Sequence, residues 1–302
     1  MLIFHAFHAK DMDNTERLSC LTIFYKWNII FNKKNDKESE QKNLRTEEEA
    51  MEQTKRARGF NSNQLKMIAI TAMTLDHVIS VVFPNYPTDW WILICHIIGR
   101  LTAPIMWFFI AEGYHYTHDV KKYASRLFLF ALISHFAYNF AFGIPFIPFQ
   151  TTVFNQTSVI WSLAWGLVGL VIVDSPKLKG WMKSLLLIVI CVITFCSDWS
   201  CIAVMAIISI GQNRGNFKKQ MAGMVFWVIF YAIVYFLFID KVYGIIQMFV
   251  VLTIPFLKNY NGERGNWKGM KWFFYLYYPL HLVICGIIRV LLHGNAGVMI
   301  GG

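Results

Sequence analysis

Four ionisable groups stand in the middle of long apolar runs, and their types are those of acid–base chemistry. Asp76 and His77 are neighbours within residues 65–83, Arg100 lies within 90–116 with His96 one turn before it, and His281 lies within 271–292. Asp76 and His77 fall about eleven residues into their run, Arg100 about ten past Trp90-Trp91, and His281 about ten past Lys271; at about 1.5 Å per residue all of them reach one depth, roughly 15 Å from an end. An ionisable side chain at such a depth in hydrocarbon costs several kcal/mol, so it is normally paired and marks function. Neutral imidazole is the usual general base near neutral pH, and Asp76 can orient His77 or His281 while neutralising Arg100. The same groups can also serve only as interhelical hydrogen bonds that hold a bundle together. Pro279, beside His281, is expected to kink its helix and free a carbonyl.

Other polar residues carry weaker signals. Glu112 lies about a dozen residues past Arg100, near the end of its run with His115 and His118. Arg126 stands in the first turn of its run, where it can snorkel to the interface or meet a phosphate. His135 and Asn139, one turn apart, can line a cavity or bond to a neighbouring helix. Asp198, in a short break between apolar runs, reads as solvated. The six cysteines have no metal or disulfide spacing. No phosphate-binding loop, glycine fingerprint or metal-ligand spacing is present, which leaves nucleotide hydrolysis and metal catalysis without support.

The elements that must position these groups follow from composition. Of 302 residues, 56% are hydrophobic, 17% aromatic and only 15% charged, far from the balance of a water-soluble domain. The formal charge of +10 is spread in short clusters between apolar runs, which argues against a nucleic-acid-binding patch. The expected fold class is all-α: a polytopic transmembrane helix bundle of about nine spans, near residues 65–83, 90–116, 123–142, 157–173, 182–197, 199–211, 220–239, 242–257 and 271–292. The fifth and sixth are short and only Ser197-Asp198 separates them, so hydropathy alone also allows eight or ten. Loop charges favour nine. Lys121-Lys122, Lys177 with Lys179, Arg214 with Lys218-Lys219, and Lys258 with Arg264 alternate with breaks that hold only Lys241, and the positive-inside rule then sets the N-terminus in the cytoplasm and the C-terminus outside. Residues 1–60 form a polar cytoplasmic tail, mixed in charge over 32–58, and residues 61–302 the membrane domain. Met51 with Lys55, Arg56 and Arg58 suits a native start, which would make 1–50 an extension. The protein is expected in the bacterial cytoplasmic membrane.

At these residues the sequence resembles the TraX family, integral membrane proteins associated with N-terminal acetylation of conjugative pilin. The resemblance is carried by Leu65-Lys66-Met67-Ile68-Ala69 through Leu75-Asp76-His77; by Ile98-Gly99-Arg100-Leu101 through Pro104; by Ala111-Glu112-Gly113; by Lys122-Tyr123 through Arg126-Leu127; by Ser134; and by Phe274-Tyr275-Leu276-Tyr277-Tyr278-Pro279-Leu280-His281-Leu282. These strings span 64–290. The arrangement is also similar to the wider group of integral-membrane acyltransferases that move acetyl groups from cytosolic acetyl-CoA to extracytoplasmic acceptors. The resemblance implies a membrane-bound O- or N-acetyltransferase with acetyl-CoA as donor and a peptide, pilin or cell-envelope acceptor, an amine or a hydroxyl. It further implies His77 as base, Asp76 as its orienter, Arg100 and His281 lining the site, and Arg126 and Glu112 nearer the donor. Two departures bear on the acceptor: Ser158 and Ser162 stand where the family pattern has Asn and Thr, and Asp198-Trp199-Ser200 where it has Asp-Tyr-Gly.

Two other functions compete. A proton-coupled secondary transporter would use Asp76, His77 and His281 as a relay, but its usual paired half-sequences are not visible here. An accessory membrane protein would leave the midplane charges unexplained.

Overall fold

The computed structural model of the chain describes residues 59–147, 150, 155–267 and 269–298, apart from the Lys271 side chain. The expected tail over 1–60, except Gly59 and Phe60, lies outside the described residues, as do the basic leader and the extension read over 1–50.

The described residues are helical and contain no strand, only isolated bridges that pair Phe60 with Tyr260 and Thr157 with Ser197. The helices are α1 (Ser62–Val82), α2 (Trp90–Gly99), α3 (Thr102–Tyr116), α4 (Val120–Phe142), α5 (Val159–Asp174), α6 (Gly180–Thr194), α7 (Ser200–Gln212), α8 (Phe217–Phe238), α9 (Lys241–Gln247), α10 (Thr253–Lys258) and α11 (Met270–His293), with a 3-10 turn over Met248–Leu252. Local chemistry sets several ends. Asn61 and Gln64 close a capping box on α1, so two of the orphan N–H groups at its start are satisfied. Asp119 caps α4 by accepting the Lys122 N–H, which also holds its carboxyl below the usual range, and Gly143 closes that helix in the left-handed conformation.

The run over 90–116 is not one regular helix. Pro104, in the first turn of α3, has no N–H to return to the carbonyl of Arg100, and the chain turns at Arg100-Leu101. The run over 242–257 is likewise split into α9, the 3-10 turn and α10. In contrast, α11 continues through Pro279.

Five segments are long and apolar enough to cross a membrane: Ser62–Val82, Trp90–Tyr116, Phe217–Phe238, Lys241–Lys258 and Trp272–His293. Helices α5, α6 and α7 are apolar but have 16, 15 and 13 residues, about 20–24 Å of rise and so less than a hydrocarbon core. Burial is inverted relative to a protein in water. Phe230, Leu237, Leu276, Leu280, Ile188 and Leu291 are exposed, whereas Asp76, His77, His96, Arg100, Gln247 and His281 are buried. Such an arrangement suits a surface that faces lipid and an interior that holds the polar groups.

Helix α1 packs against α2, α3 and α11; α11 packs on α4; and α7 packs on α3, α5, α6 and α8. Two apolar clusters result, one around α3, α5, α7 and α8 and the other around α1, α4 and α11.

Candidate active site

A cavity of about 720 Å³ is lined by residues of both clusters. One face of α1 forms a wall, with Asn63, Lys66, Ile70, Met73, Asp76 and His77 along it. Asn63, Lys66, Ile70, Met73 and His77 recur every three or four residues and therefore stack on one side of the helix, with Asp76 at its edge. Lys66 and His77 are three turns apart, about 16 Å along the axis. The cavity thus has a cationic end at the start of α1 and a deep end at Asp76 and His77.

At the deep end the ionisable groups form two separate hydrogen-bonded sets. In the first, both carboxylate oxygens of Asp76 accept from Arg100 Nη2 at 3.0 Å, and Oδ1 also accepts from His96 Nδ1 at 2.8 Å. Arg100 gives its remaining donors to Gln247 Oε1 at 2.9 Å and to the His96 carbonyl at 3.2 Å, and its guanidinium lies 5.6 Å from the Trp199 ring centre. This pair needs Gly99, because a Cβ there would stand 2.5 Å from Asp76 Oδ1.

In the second set, His77 Nδ1 and His281 Nε2 are 2.9 Å apart, and His281 Nδ1 is 3.1 Å from the carbonyl of Tyr277. The tautomers follow in order. A carbonyl only accepts, so His281 Nδ1 carries the proton and its Nε2 offers a lone pair; His77 Nδ1 must then be the donor, leaving His77 Nε2 as a lone pair. No described residue bonds to that nitrogen, and His77 lines the cavity. Phe142 meets the His77 ring edge-on at 5.6 Å and helps fix it.

The expected orientation of His77 by a hydrogen bond from its ring N–H to Asp76 is therefore not found. Adjacent residues on a helix point about 100° apart, so Asp76 faces α2 while His77 faces α11. The group that orients His77 is His281, and Asp76 is taken up by Arg100 and His96.

Asp198 corrects another expectation. It is buried, lines the deep end of the cavity, and its Oδ1 has no hydrogen-bond partner among the described residues. The segment before α5 holds it there: Gln156 N–H donates to the Cys196 carbonyl at 2.6 Å, and Asp198 N–H to the Thr157 carbonyl at 2.9 Å. Trp199 (φ 60°) and Ser200 (φ 48°) follow in the left-handed region, a strain of order 1–3 kcal/mol each that side chains must support. Ser162 does so in part, since its hydroxyl donates to the Ser200 carbonyl at 2.9 Å and bonds to the Ser197 hydroxyl. The departure at Ser162 thus braces the corner, and Ser158 is buried with its side chain beside the Tyr278 hydroxyl.

Nearer the other end, Glu112 lines the cavity, but its carboxylate is paired with Arg214 at 3.1 and 3.3 Å. Arg126 also lines it, with Nε buried and unbonded. Burial, followed by the nearby Glu112 charge, pushes the Tyr260 hydroxyl up to about 12, which keeps it a neutral donor at the wall. His135 and Asn139 bond to the Phe146 and Pro145 carbonyls and so fasten the turn after α4. His118 is exposed, and His115 reaches only the Gly211 carbonyl at 3.4 Å. No group of three or more metal-binding side chains occurs among the described residues.

The model of the TraX protein family matches residues 61–289. The chain belongs to the TraX family. A relative, the probable fimbrial assembly protein FimC, serogroup H1, of Dichelobacter nodosus, is 28% identical over 232 residues, covering 74% of this chain and 94% of that protein. No solved structure matches this TraX chain. The matched span contains both hydrogen-bonded sets, Asp198 and the cationic end of the cavity.

Proposed function

We propose that this TraX-family protein is a membrane-bound O- or N-acetyltransferase that takes an acetyl group from cytosolic acetyl-CoA and delivers it to an amine or hydroxyl acceptor at or beyond the outer face of the bacterial cytoplasmic membrane. One observation carries the reading: His77 presents a lone pair on Nε2 to a large cavity while its other nitrogen is held by His281 and the Tyr277 carbonyl. This is the arrangement a general base requires. The family's association with pilin acetylation and the name of its relative, a probable fimbrial assembly protein, agree with a pilin or other envelope acceptor.

The cavity fits the donor in size and polarity. About 720 Å³ is ample for a pantetheine arm, and the distance from Lys66 to His77 along α1 matches such an arm when extended. When bound, acetyl-CoA would supply an acetyl group on a thioester whose thiol is the leaving group. His77 Nε2 takes the proton of the acceptor N–H or O–H as that atom bonds to the acetyl carbon, and returns it to the departing sulfur. Asp76 and Arg100 neutralise each other beside the base and hold α1 to α2. Nine spans, with the start of α1 facing the cytoplasm, complete the reading, since the cationic end then faces the donor's compartment.

Sealed vesicles of known orientation test it. Labelled acetyl-CoA on the cytoplasmic side should yield acetylated material on the other side, and His77→Ala should abolish the label. No incorporation by the wild-type chain with its native membranes present would overturn the reading; incorporation only when donor and acceptor share a compartment would overturn its cross-membrane step.

A further inference from the structure

The mouth of the cavity carries donors and cations for which the described residues supply no acceptor. Lys66 of α1, Arg126 of α4 and Arg264 of the loop before α11 line it together with Asn63. Ion pairs among the described residues join Asp76 to His96 and Arg100, Asp119 to Lys122, and Glu112 to Arg214. None engages Lys66, Arg126 or Arg264, and Glu112, which lines the same cavity, is already taken by Arg214. Lys66 instead rests against two aromatic faces, 4.9 Å from the centre of Phe109 and 5.8 Å from that of Phe274. Two further observations point the same way: Asn63 Nδ2 and Arg126 Nε are buried nitrogens without any hydrogen-bond partner. Buried donors are normally satisfied, and three unopposed cations repel one another, so the set is complementary to an anion with several acceptor oxygens.

Backbone pairing holds this mouth in place. Ser62 N–H donates to the Glu263 carbonyl and Phe60 N–H to the Asn259 carbonyl, both at 2.8 Å, and Asn261 N–H returns to the Phe60 carbonyl at 3.0 Å. The loop is thereby laid along the start of α1. Gly265, in the left-handed region at φ 83°, fits against Asn61 and Asn63 where a Cβ would clash, which brings Arg264 to the mouth beside Lys66.

We infer that Asn63, Lys66, Arg126 and Arg264 form a phosphate-binding site at the cavity mouth, one that grips the phosphorylated end of a ligand whose remainder runs inward toward His77. The inference rests on the acyl-transfer reading for the identity of that ligand, a nucleotide-bearing thioester, but not for its charge. The phosphates can belong to a free nucleotide or to an anionic lipid headgroup at the same level.

The full chain in lipid-free detergent, titrated with adenosine 3′,5′-bisphosphate, tests the site without requiring turnover. Wild type should bind; Lys66→Gln and Arg264→Gln should each bind about tenfold more weakly, and Lys66→Arg nearly as well as wild type. The bisphosphate affinity should also fall steeply with salt. In a second arm, nanodiscs with and without phosphatidylglycerol report whether lipid competes. Equal binding by Lys66→Gln, Arg264→Gln and wild type overturns the site, provided their thermal midpoints match. Retention of phosphatidylglycerol that these variants lose, with no bisphosphate binding, supports the phosphate site and assigns it to lipid. Bisphosphate binding that the variants lose, in a protein that never consumes acetyl-CoA, supports the site and refutes the acyl-transfer reading.

Discussion

Replacing His281 separates the roles of the two stacked imidazoles. In His281→Leu, His77 Nδ1–H loses the acceptor 2.9 Å away, in surroundings where the described residues offer no other. A buried donor left unsatisfied costs about 1–3 kcal/mol, and His77 escapes that cost by turning its ring or shifting its proton to Nε2, the nitrogen that must stay free to act as base. At about 1.4 kcal/mol per decade, the productive tautomer then loses roughly 5- to 150-fold in population, and kcat should fall by that factor with little change in KM for acetyl-CoA. His281→Gln should recover most of the loss, because its side-chain oxygen can accept where Nε2 did. His77→Ala, in contrast, removes the base itself and should cost about 10²- to 10⁴-fold, with no rescue by Gln. The assay is the initial rate at which membranes holding each variant transfer label from acetyl-CoA, normalised to folded protein. If His281→Leu proves as inactive as His77→Ala and His281→Gln is equally dead, His281 acts directly on the substrate and the tautomer argument fails.

Gly99→Ala should destabilise the protein by about 1–3 kcal/mol, because its Cβ meets the Asp76 carboxyl; a thermal midpoint equal to wild type would show that Asp76 can move aside. Asp76→Asn leaves Arg100 buried without its counter-charge and should cost about 3–5 kcal/mol of stability, visible as loss of folded protein in detergent before any change in kcat of the folded fraction. Asp198→Asn should lower transfer without shifting the thermal midpoint, since Oδ1 has no hydrogen-bond partner among the described residues to lose; an unchanged rate would make it a passive part of the wall. Glu112→Gln should leave acetyl-CoA affinity the same or raise it by less than tenfold, because that carboxylate already belongs to Arg214, and a large loss of affinity would return Glu112 to the donor site.

Depth was legible in the sequence where pairing was not. Counting residues along apolar runs puts Asp76, His77, Arg100 and His281 at one level, since rise per residue is fixed by backbone hydrogen bonding alone. Which group bonds to which depends on azimuth and on neighbours, and adjacency in sequence misleads on a helix: Asp76 and His77 touch different helices. His96, a weaker candidate in the sequence, proves to be a direct partner of Asp76. The pairing of Glu112 with Arg214 joins residues on separate helix ends and leaves no local pattern. Asp198 was misread as solvated because its surroundings are built by the remote segment before α5; the only nearby sign was an acidic residue followed by Trp where a tight turn more often has Gly. The helical runs were plain from hydropathy, while the breaks at Arg100-Leu101 and within 242–257 required backbone detail. Pro104 announced the first of these.

The placement of unfavourable features argues for chemistry over bracing. A buried ion pair such as Asp76–Arg100 contributes little net stability once desolvation is counted, yet here Asp76 accepts from Arg100 and His96, and Arg100 also donates to Gln247 and the His96 carbonyl, so bracing α1 against α2 would explain it. That explanation does not cover His77 Nε2, Asp198 Oδ1 and Arg126 Nε, which have no hydrogen-bond partner among the described residues and belong to residues on one cavity. The strained Trp199-Ser200 corner is there too, and it carries Asp198 to the cavity wall at a cost that a relaxed loop would avoid. A structural network gains nothing by leaving a base, a carboxylate oxygen and a guanidinium nitrogen unmatched around one chamber, whereas a site that must receive a nucleophile, hold an acceptor group and meet a phosphate needs all three free.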